Sequence, residues 1–327
     1  MADISTSFVG LHLQSPIIIG SSGLTRNLDK VKAFANAGAG AVILKSLFEE
    51  QIEAEAQSME QHNDYTEASE YIAHYVRAEE VGRYLEQISH YKRELNIPVI
   101  ASINCLRADS WVDFATRIQE AGADALEVNI MRLETDLYFD PLASEQNYCD
   151  IVKSLRSKLR IPIIVKLSRY HTALPALVDK LRASGANAVT LFNRSYQSDI
   201  DLNTEELRSG DVFTHVGDFT DTLRFTALVS SLVPQVEISS STGIYTWQEV
   251  TKSLLAGASS VQMCTALYKE GPSAISNALV ALGMWMDKRG YRSVDEFRAR
   301  LNGSTPEDVN VFERIQFMKY FGGRGDS

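Results

Sequence analysis

IPIIVKLSRYHTALPALVDKLRASGANAVTLFN, residues 161–193, carries the reading of the fold. Its first apolar run, IIVKL, follows Pro162, and its second, AVTLF, follows the small-residue turn at Ser184-Gly185. Neither run alternates polar with apolar, which is how a strand buried on both faces of a parallel sheet reads. Between them, Ala173 to Ala183 has the apolar spacing of an amphipathic helix. Gly185 stands just past it, where a left-handed cap suits glycine.

The same two signals recur along the chain. Pro16, Pro98, Pro162 and Pro234 precede IIIG, VIASI, IIVKL and QVEIS, and fall 82, 64 and 72 residues apart. Gly38, Gly122, Gly185 and Gly257 sit in AGAGAVILK, AGADALEVN, SGANAVTLF and AGASSVQMC, at intervals of 84, 63 and 72. Helical stretches are expected at 27–36, 110–120, 146–158, 173–183 and 246–255. Eight strands, each followed by a helix in about 250 residues, predict an α/β (β/α)8 TIM barrel. An open doubly wound sheet uses the same local units, but no GxGxxG follows any run.

The barrel is expected over residues 1–303, with a C-terminal helix near 306–320 and a frayed tail completing 304–327. Two connections are long, Lys45 to Pro98 and Asn193 to Pro234. The first is expected to be helical from about Ala68 to Leu95, and both have the length of lids or binding loops.

Of the 327 residues, 42 are acidic and 32 basic, giving a net charge of −10. That disfavours nucleic acid and anionic membranes as partners. Cys105, Cys149 and Cys264 are too few and too scattered for a disulfide framework or a cysteine-bound zinc. The longest apolar run, Ala278 to Met286, is far too short to cross a bilayer, and no signal peptide is read at the N-terminus. The expectation is a reduced, cytoplasmic protein acting on a small molecule.

Barrel sites lie at the C-terminal ends of the strands. There the runs close on Gly20-Ser21-Ser22-Gly23, Lys45-Ser46, Asn104-Cys105, Glu127-Val128-Asn129, Lys166, Asn193-Arg194, Ser239-Ser240-Ser241-Thr242-Gly243 and Cys264-Thr265. A lysine inside an apolar run is costly unless an anion awaits it, and here two converge on one mouth. The seventh and eighth loops of a barrel commonly hold phosphate. SSSTG and CTALYKEGP bring hydroxyls and small residues to that place. Asparagine, both donor and acceptor, suits the polar edge of a heterocycle.

SPIIIGSSGLT, NAGAGAVILKS, ADALEVN, IPIIVKL, AVTLFN, STGIYTWQEVTKSLLAGASSVQM and CTALYKEGP together resemble the dihydroorotate dehydrogenase family, flavin-dependent barrels, over about Phe8 to Leu301. The soluble class 1 members are the closer likeness. The resemblance implies bound FMN. Ser21, Ser22 and Gly23 would approach its ring, with Lys45 and Ser46 beside it. Asn104 and Asn129 would flank flavin and substrate, Lys166 would face the N1–O2 edge, and Asn193 would serve the substrate side. Ser241, Thr242, Gly243, Cys264 and Thr265 would hold the phosphate. It also implies a homodimer.

The fourth loop departs from the family pattern. It reads Asn129-Ile130-Met131-Arg132, with Arg132 where the family's Cys or Ser base stands. An arginine cannot serve as that base, but it can grip a carboxylate with two hydrogen bonds. The family's orotate-holding Asn-Ser-Met-Gly-Leu loop is not found between Phe48 and Tyr71. Lys45, Asn129, Arg132 and Cys105 are the expected catalytic set. Thr135, Glu134, Asp136, His74 and His62 are further acid–base candidates.

The expected activity is FMN-dependent oxidation or reduction of a CH–CH or C=C bond in a small acidic or pyrimidine-like substrate. Two alternatives stand beside it: dihydroorotate itself with an unusual base, and a barrel that binds flavin or a phosphorylated ligand without turnover. The chain has no cysteine cluster for an iron–sulfur centre; a separate electron-transfer partner could carry one.

Overall fold

The computed structural model describes residues 2–48, 66–104, 112–130, 135–194 and 197–303, with backbone alone for 66–77 and 141. It opens with a hairpin, β1 (Thr6–Phe8) against β2 (Leu11–Leu13). The strands β3 (Ile17–Ile19) and β4 (Ala41–Ile43) follow, then a short β5 (Leu47–Phe48), β6 (Val99–Asn104), β7 (Ala125–Asn129), β8 (Ile163–Leu167) and β9 (Ala188–Leu191). A second hairpin, β10 (Ser198–Asp201) with β11 (Glu206–Ser209), interrupts the series before β12 (Glu237–Ser241) and β13 (Ser260–Met263).

Eight of these close a parallel ring. The order runs β4, β3, β13, β12, β9, β8, β7, β6, and pairing of β6 back onto β4 completes it. The (β/α)8 barrel expected from the spacing is therefore the fold. Helices follow the strands, among them Leu28–Asn36, Val112–Glu120, Leu174–Ala183, Phe219–Leu232 and Trp247–Leu255. The repeated glycines Gly38, Gly122, Gly185 and Gly257 all take positive φ, from 96° to 110°, so one turn geometry returns the chain to the sheet four times.

Three elements differ from expectation. The helix after β7 begins at Pro141 rather than 146, because Asp140 caps it through Leu142 N–H at 3.0 Å and proline fits a first turn. Past β13 the helix expected near 271–288 is present as Ser273–Arg289, but a short unexpected helix, Thr265–Glu270, precedes it across a break at Gly271. The N-terminal hairpin was not anticipated at all. The expected 306–320 helix lies outside the described residues.

The helix Thr66–Glu94 fills most of the first long connection. Its buried Tyr84 exchanges hydrogen bonds with the backbone of Ser102 (2.8 and 2.9 Å), and Lys92 pairs with Asp124 at 2.7 Å. Both contacts pin it beside the third and fourth barrel strands.

Inside the ring, side chains alternate with those that face the helices. The lower interior is apolar: Ile18, Ala41, Ile43, Ile100, Ala125, Ile164 and Ala188 cluster there. Phe8, Val9 and Leu13 of the hairpin pack against them as a stopper. Val9 N–H donates to Glu237 Oε1 at 3.0 Å, tying the hairpin tip to β12. Two residues further up each strand the interior turns polar, with Ser102, Glu127, Lys166, Thr190, Ser239 and Gln262 all buried. Apolar floor and polar middle thus follow from a step of two in sequence.

Candidate active site

Above the polar layer, at the C-terminal ends of the strands, opens a cavity of about 370 Å³. That is ample for a cofactor or drug-sized ligand. Its wall includes Ser21, Ser22, Gly23, Lys45, Lys166, Asn193, Ser241, Thr242, Gly243, Cys264 and Thr265. Most of the residues expected at the mouth are therefore brought together. Ser46, Asn104 and Asn129 stand behind the wall. Ser46 Oγ bridges Ser21 Oγ (3.2 Å) and Ser102 Oγ (2.8 Å). Asn104 and Asn129 face each other across β6 and β7, and Asn129 Oδ1 accepts from Asn193 Nδ2 at 3.0 Å. Cys105, Arg132, Glu134 and His62 lie outside the described residues, and so does the His74 side chain. Thr135 and Asp136 are exposed.

The two lysines sit in different electrical settings. Lys45 lies over the Phe48 ring at 4.9 Å. Burial, then repulsion from Arg26, pushes its ammonium below the ordinary lysine range, against a smaller pull from the Cys264 thiol. Lys166, 8% exposed, is paired instead: its Nζ is 3.4 Å from Glu127 Oε1 and donates to Gln262 Oε1 at 3.2 Å. Burial pushes the Cys264 thiol up, opposed by a hydrogen bond from Ser22 and by the charges of Lys166, Lys45 and Arg194. It stands as a neutral thiol at neutral pH.

The SSSTG run divides its hydroxyls between frame and cavity. Ser239 is bound by Ser260 and Ser240 by Thr226, each at 2.9 Å, while Thr242 donates to the Phe192 carbonyl at 2.9 Å. Ser241 is the hydroxyl of the run that reaches the wall without such a tie. Gly243 has φ 79°, and a Cβ there would lie 2.4 Å from Phe219 N, so the turn must be glycine.

The connection after β9 comes over the same end of the cavity. Arg194 grips the backbone carbonyls of Asp211 and Val212. Thr214 donates its N–H to Thr265 Oγ1 at 3.2 Å, and Tyr245 Oη donates to the Thr214 carbonyl. Phe213 packs against Tyr268, ring centres 5.6 Å apart. This strap, 211–214, lines the cavity and lies within the Asn193–Pro234 connection expected to be a lid or binding loop; which of its residues dock was not legible, because nothing local marks them. Glu127, Thr190 and Gln262 were passed over too, although each is a polar residue set inside an apolar run (LEV, VTL, VQM), as Lys166 is in VKL.

The sequence model of the dihydroorotate dehydrogenase family matches residues 3–286, nearly the whole of this barrel. The chain belongs to that family. Among its curated relatives is the dihydroorotate dehydrogenase B (NAD(+)) catalytic subunit of Thermoplasma acidophilum, 28% identical over 313 residues, which cover 90% of this chain and 98% of that protein. The corresponding catalytic subunit of Pyrococcus abyssi is 25% identical over 306 residues, 90% of this chain and 97% of that one. Dihydroorotate dehydrogenase A (fumarate) of Lactococcus lactis is 26% identical over 234 residues, 67% of this chain and 74% of that one. NAD-type and fumarate-type dihydroorotate dehydrogenases are thus similar to the chain at comparable identity. Kinship with these catalytic proteins makes it an oxidoreductase of the dihydroorotate dehydrogenase family. Among the described residues, no helix is long and apolar enough to cross a membrane.

Proposed function

We propose that this protein binds FMN in the cavity at the barrel mouth and oxidises or reduces a CH–CH or C=C bond of a small acidic or pyrimidine-like molecule. The observation that carries the reading is a cavity in a family of flavin-dependent barrels that is lined by Lys45, Lys166 and Arg194. The residues present fit the cofactor. Ser22 Oγ is buried and, among the described residues, has no oxygen or nitrogen partner, only the Cys264 thiol beside it. At Gly23 a Cβ would lie 2.9 Å from Tyr268 Oη, so a side chain there would crowd the wall.

Ser21, Ser22, Gly23, Lys45 and Lys166 would hold the ring. Ser241, Gly243, Cys264 and Thr265 would hold the phosphate. The Thr265 hydroxyl already accepts from Thr214 N–H, which leaves its own proton to give to an anion. Bound FMN supplies a two-electron hydride acceptor or donor. The chain's part is to fix the ring between two cations, to exclude water under the 211–214 strap, and to keep Cys264 protonated beside the ligand. Lys45 ammonium favours negative charge that develops on the reacting partner.

Dihydroorotate is the first substrate to try, because the relatives named above act on it. Those named as catalytic subunits also support a partner subunit that takes electrons away. The test is anaerobic. Purified protein should be yellow and release FMN on denaturation, and an added dihydro-substrate should bleach it. Protein that stays colourless after incubation with FMN removes the reading. FMN-bound protein inert to dihydroorotate, but reoxidised by enones or fumarate after chemical reduction, keeps the oxidoreductase and replaces the substrate.

A further inference from the structure

The cavity floor is made by Lys166 and Gln262, and directly behind them lies a carboxylate that no solvent reaches. Glu127 is 0% exposed and is not on the cavity wall. Its Oε1 is 3.4 Å from Lys166 Nζ, and its Oε2 accepts from Gln262 Nε2 and Thr190 Oγ1, both at 2.9 Å. Gln262 Oε1 in turn accepts from Lys166 at 3.2 Å, and Gln262 Nε2 reaches Thr190 Oγ1 at 3.1 Å. Lysine, glutamate and glutamine form a closed triangle, with the threonine filling the remaining acceptor site.

Two consequences follow from the count of protons and charges. An ammonium has three N–H donors. Two are spent in the triangle, so the third is left for whatever lies on the floor, at a position the triangle fixes. The charges of Lys166 and Glu127 cancel, each offsetting the other's cost of burial. The floor is therefore rigid, donating and electrically neutral. Net positive charge comes from Lys45 at the side.

We propose that Glu127 is a positioning residue that sets the redox balance of the bound ligand. It holds Lys166 on the floor and offsets that lysine's attraction for a ring that gains negative charge on reduction. The proposal rests on FMN being the ligand. Glutamate is needed where glutamine would satisfy the same hydrogen bonds, because the charge is what limits how strongly the floor favours the reduced ring.

The test compares wild type with Glu127→Gln, Lys166→Gln and the double variant, each with FMN bound, by titrating the two-electron midpoint potential against mediator dyes. Removing the carboxylate alone should favour the reduced form by about tenfold, which is about 30 mV for a two-electron couple. Removing the lysine alone should move the potential the opposite way. The double variant should return toward wild type, because it replaces one neutral pair by another. Should the unpaired lysine of Glu127→Gln prevent folding, Lys166→Gln against the double variant reads the same sign. A Glu127→Gln protein that binds FMN at an unchanged potential overturns the proposal, and so does a double variant that behaves like Lys166→Gln. Wild-type protein that takes up no FMN instead overturns the function proposed above.

Discussion

Thr214 and Thr265 meet across 51 positions of sequence: the backbone N–H of the first donates to the hydroxyl of the second at 3.2 Å. Through this bond the connection after β9 closes on the start of the helix after β13. Arg194 secures the other end of the strap by its hold on the carbonyls of Asp211 and Val212.

Arg194→Ala should free the strap while leaving the barrel intact. Hydrogen bonds from a charged group are worth about 1.5–3 kcal/mol where they act, and here they order one loop. Amide exchange and protease cutting at 211–216 should rise by about tenfold or more, with the global unfolding midpoint hardly moved, since loops open independently of the core. Unchanged protection of those amides would show that the strap is held by its other contacts alone.

Lys45→Met should weaken FMN binding by about tenfold, roughly the 1.4 kcal/mol of one ion contact in a half-buried site. The pH profile has a definite sign. Burial holds the Lys45 pKa below 10.5, so the positive charge is lost, and with it anion affinity, as pH rises through that depressed value. The variant should lack this limb. Folding runs the other way. With its pKa lower in the folded state, the unfolded chain binds the Lys45 proton more tightly, and stability rises with pH across the interval between the two values. Removing Lys45 should therefore leave the ligand-free fold as stable or more so at neutral pH. Equal loss of folding and of binding would contradict this.

Gly243→Ala forces a Cβ to 2.4 Å from Phe219 N at a φ of 79°. The neighbouring atom is backbone and cannot swing aside. Strain at positive φ and overpacking each cost about 1–3 kcal/mol. Urea denaturation should show a loss in that range, together with weaker binding of inorganic phosphate. A variant with wild-type stability would mean that the turn relaxes freely.

Phe8→Ala should cost about 3–5 kcal/mol, the usual loss for a large aromatic from a closed core. Phe8 is fully buried among Ile18, Ile43 and Ile100. The cavity opens at the other end, so ligand affinity measured well below the melting point should be spared.

The barrel was legible because its strands carry their own punctuation. Proline before Ile17, Val99 and Ile163, and glycine before Ala41, Ala125, Ala188 and Ser260, are local signals that no tertiary contact has to supply. The hairpins were not legible for the opposite reason. TSF and LHL are three-residue strands around Val9-Gly10, too short for any periodicity, and they exist because the open end of the ring needs apolar filling. SDID and ELRS are polar but for one residue each, Ile200 and Leu207, and among the described residues they pair only with each other. At the site, Lys45 and Lys166 stood out as charges in apolar runs. What separates them, a carboxylate beside one and, among the described residues, none beside the other, is set by Glu127 at 39 positions' remove from Lys166, and sequence order does not display such a meeting.

The hairpin stopper has a consequence for traffic. With Phe8, Val9 and Leu13 packed into the lower ring, that end of the vessel is closed among the described residues, and visitors to its interior come and go by the threshold at the strands' C-terminal ends. Two small reactants that each need the same place in the cavity must then queue, the first departing before the second can enter. A plug built from eight residues at the start of the chain would thereby impose an order of events at the opposite end of the molecule.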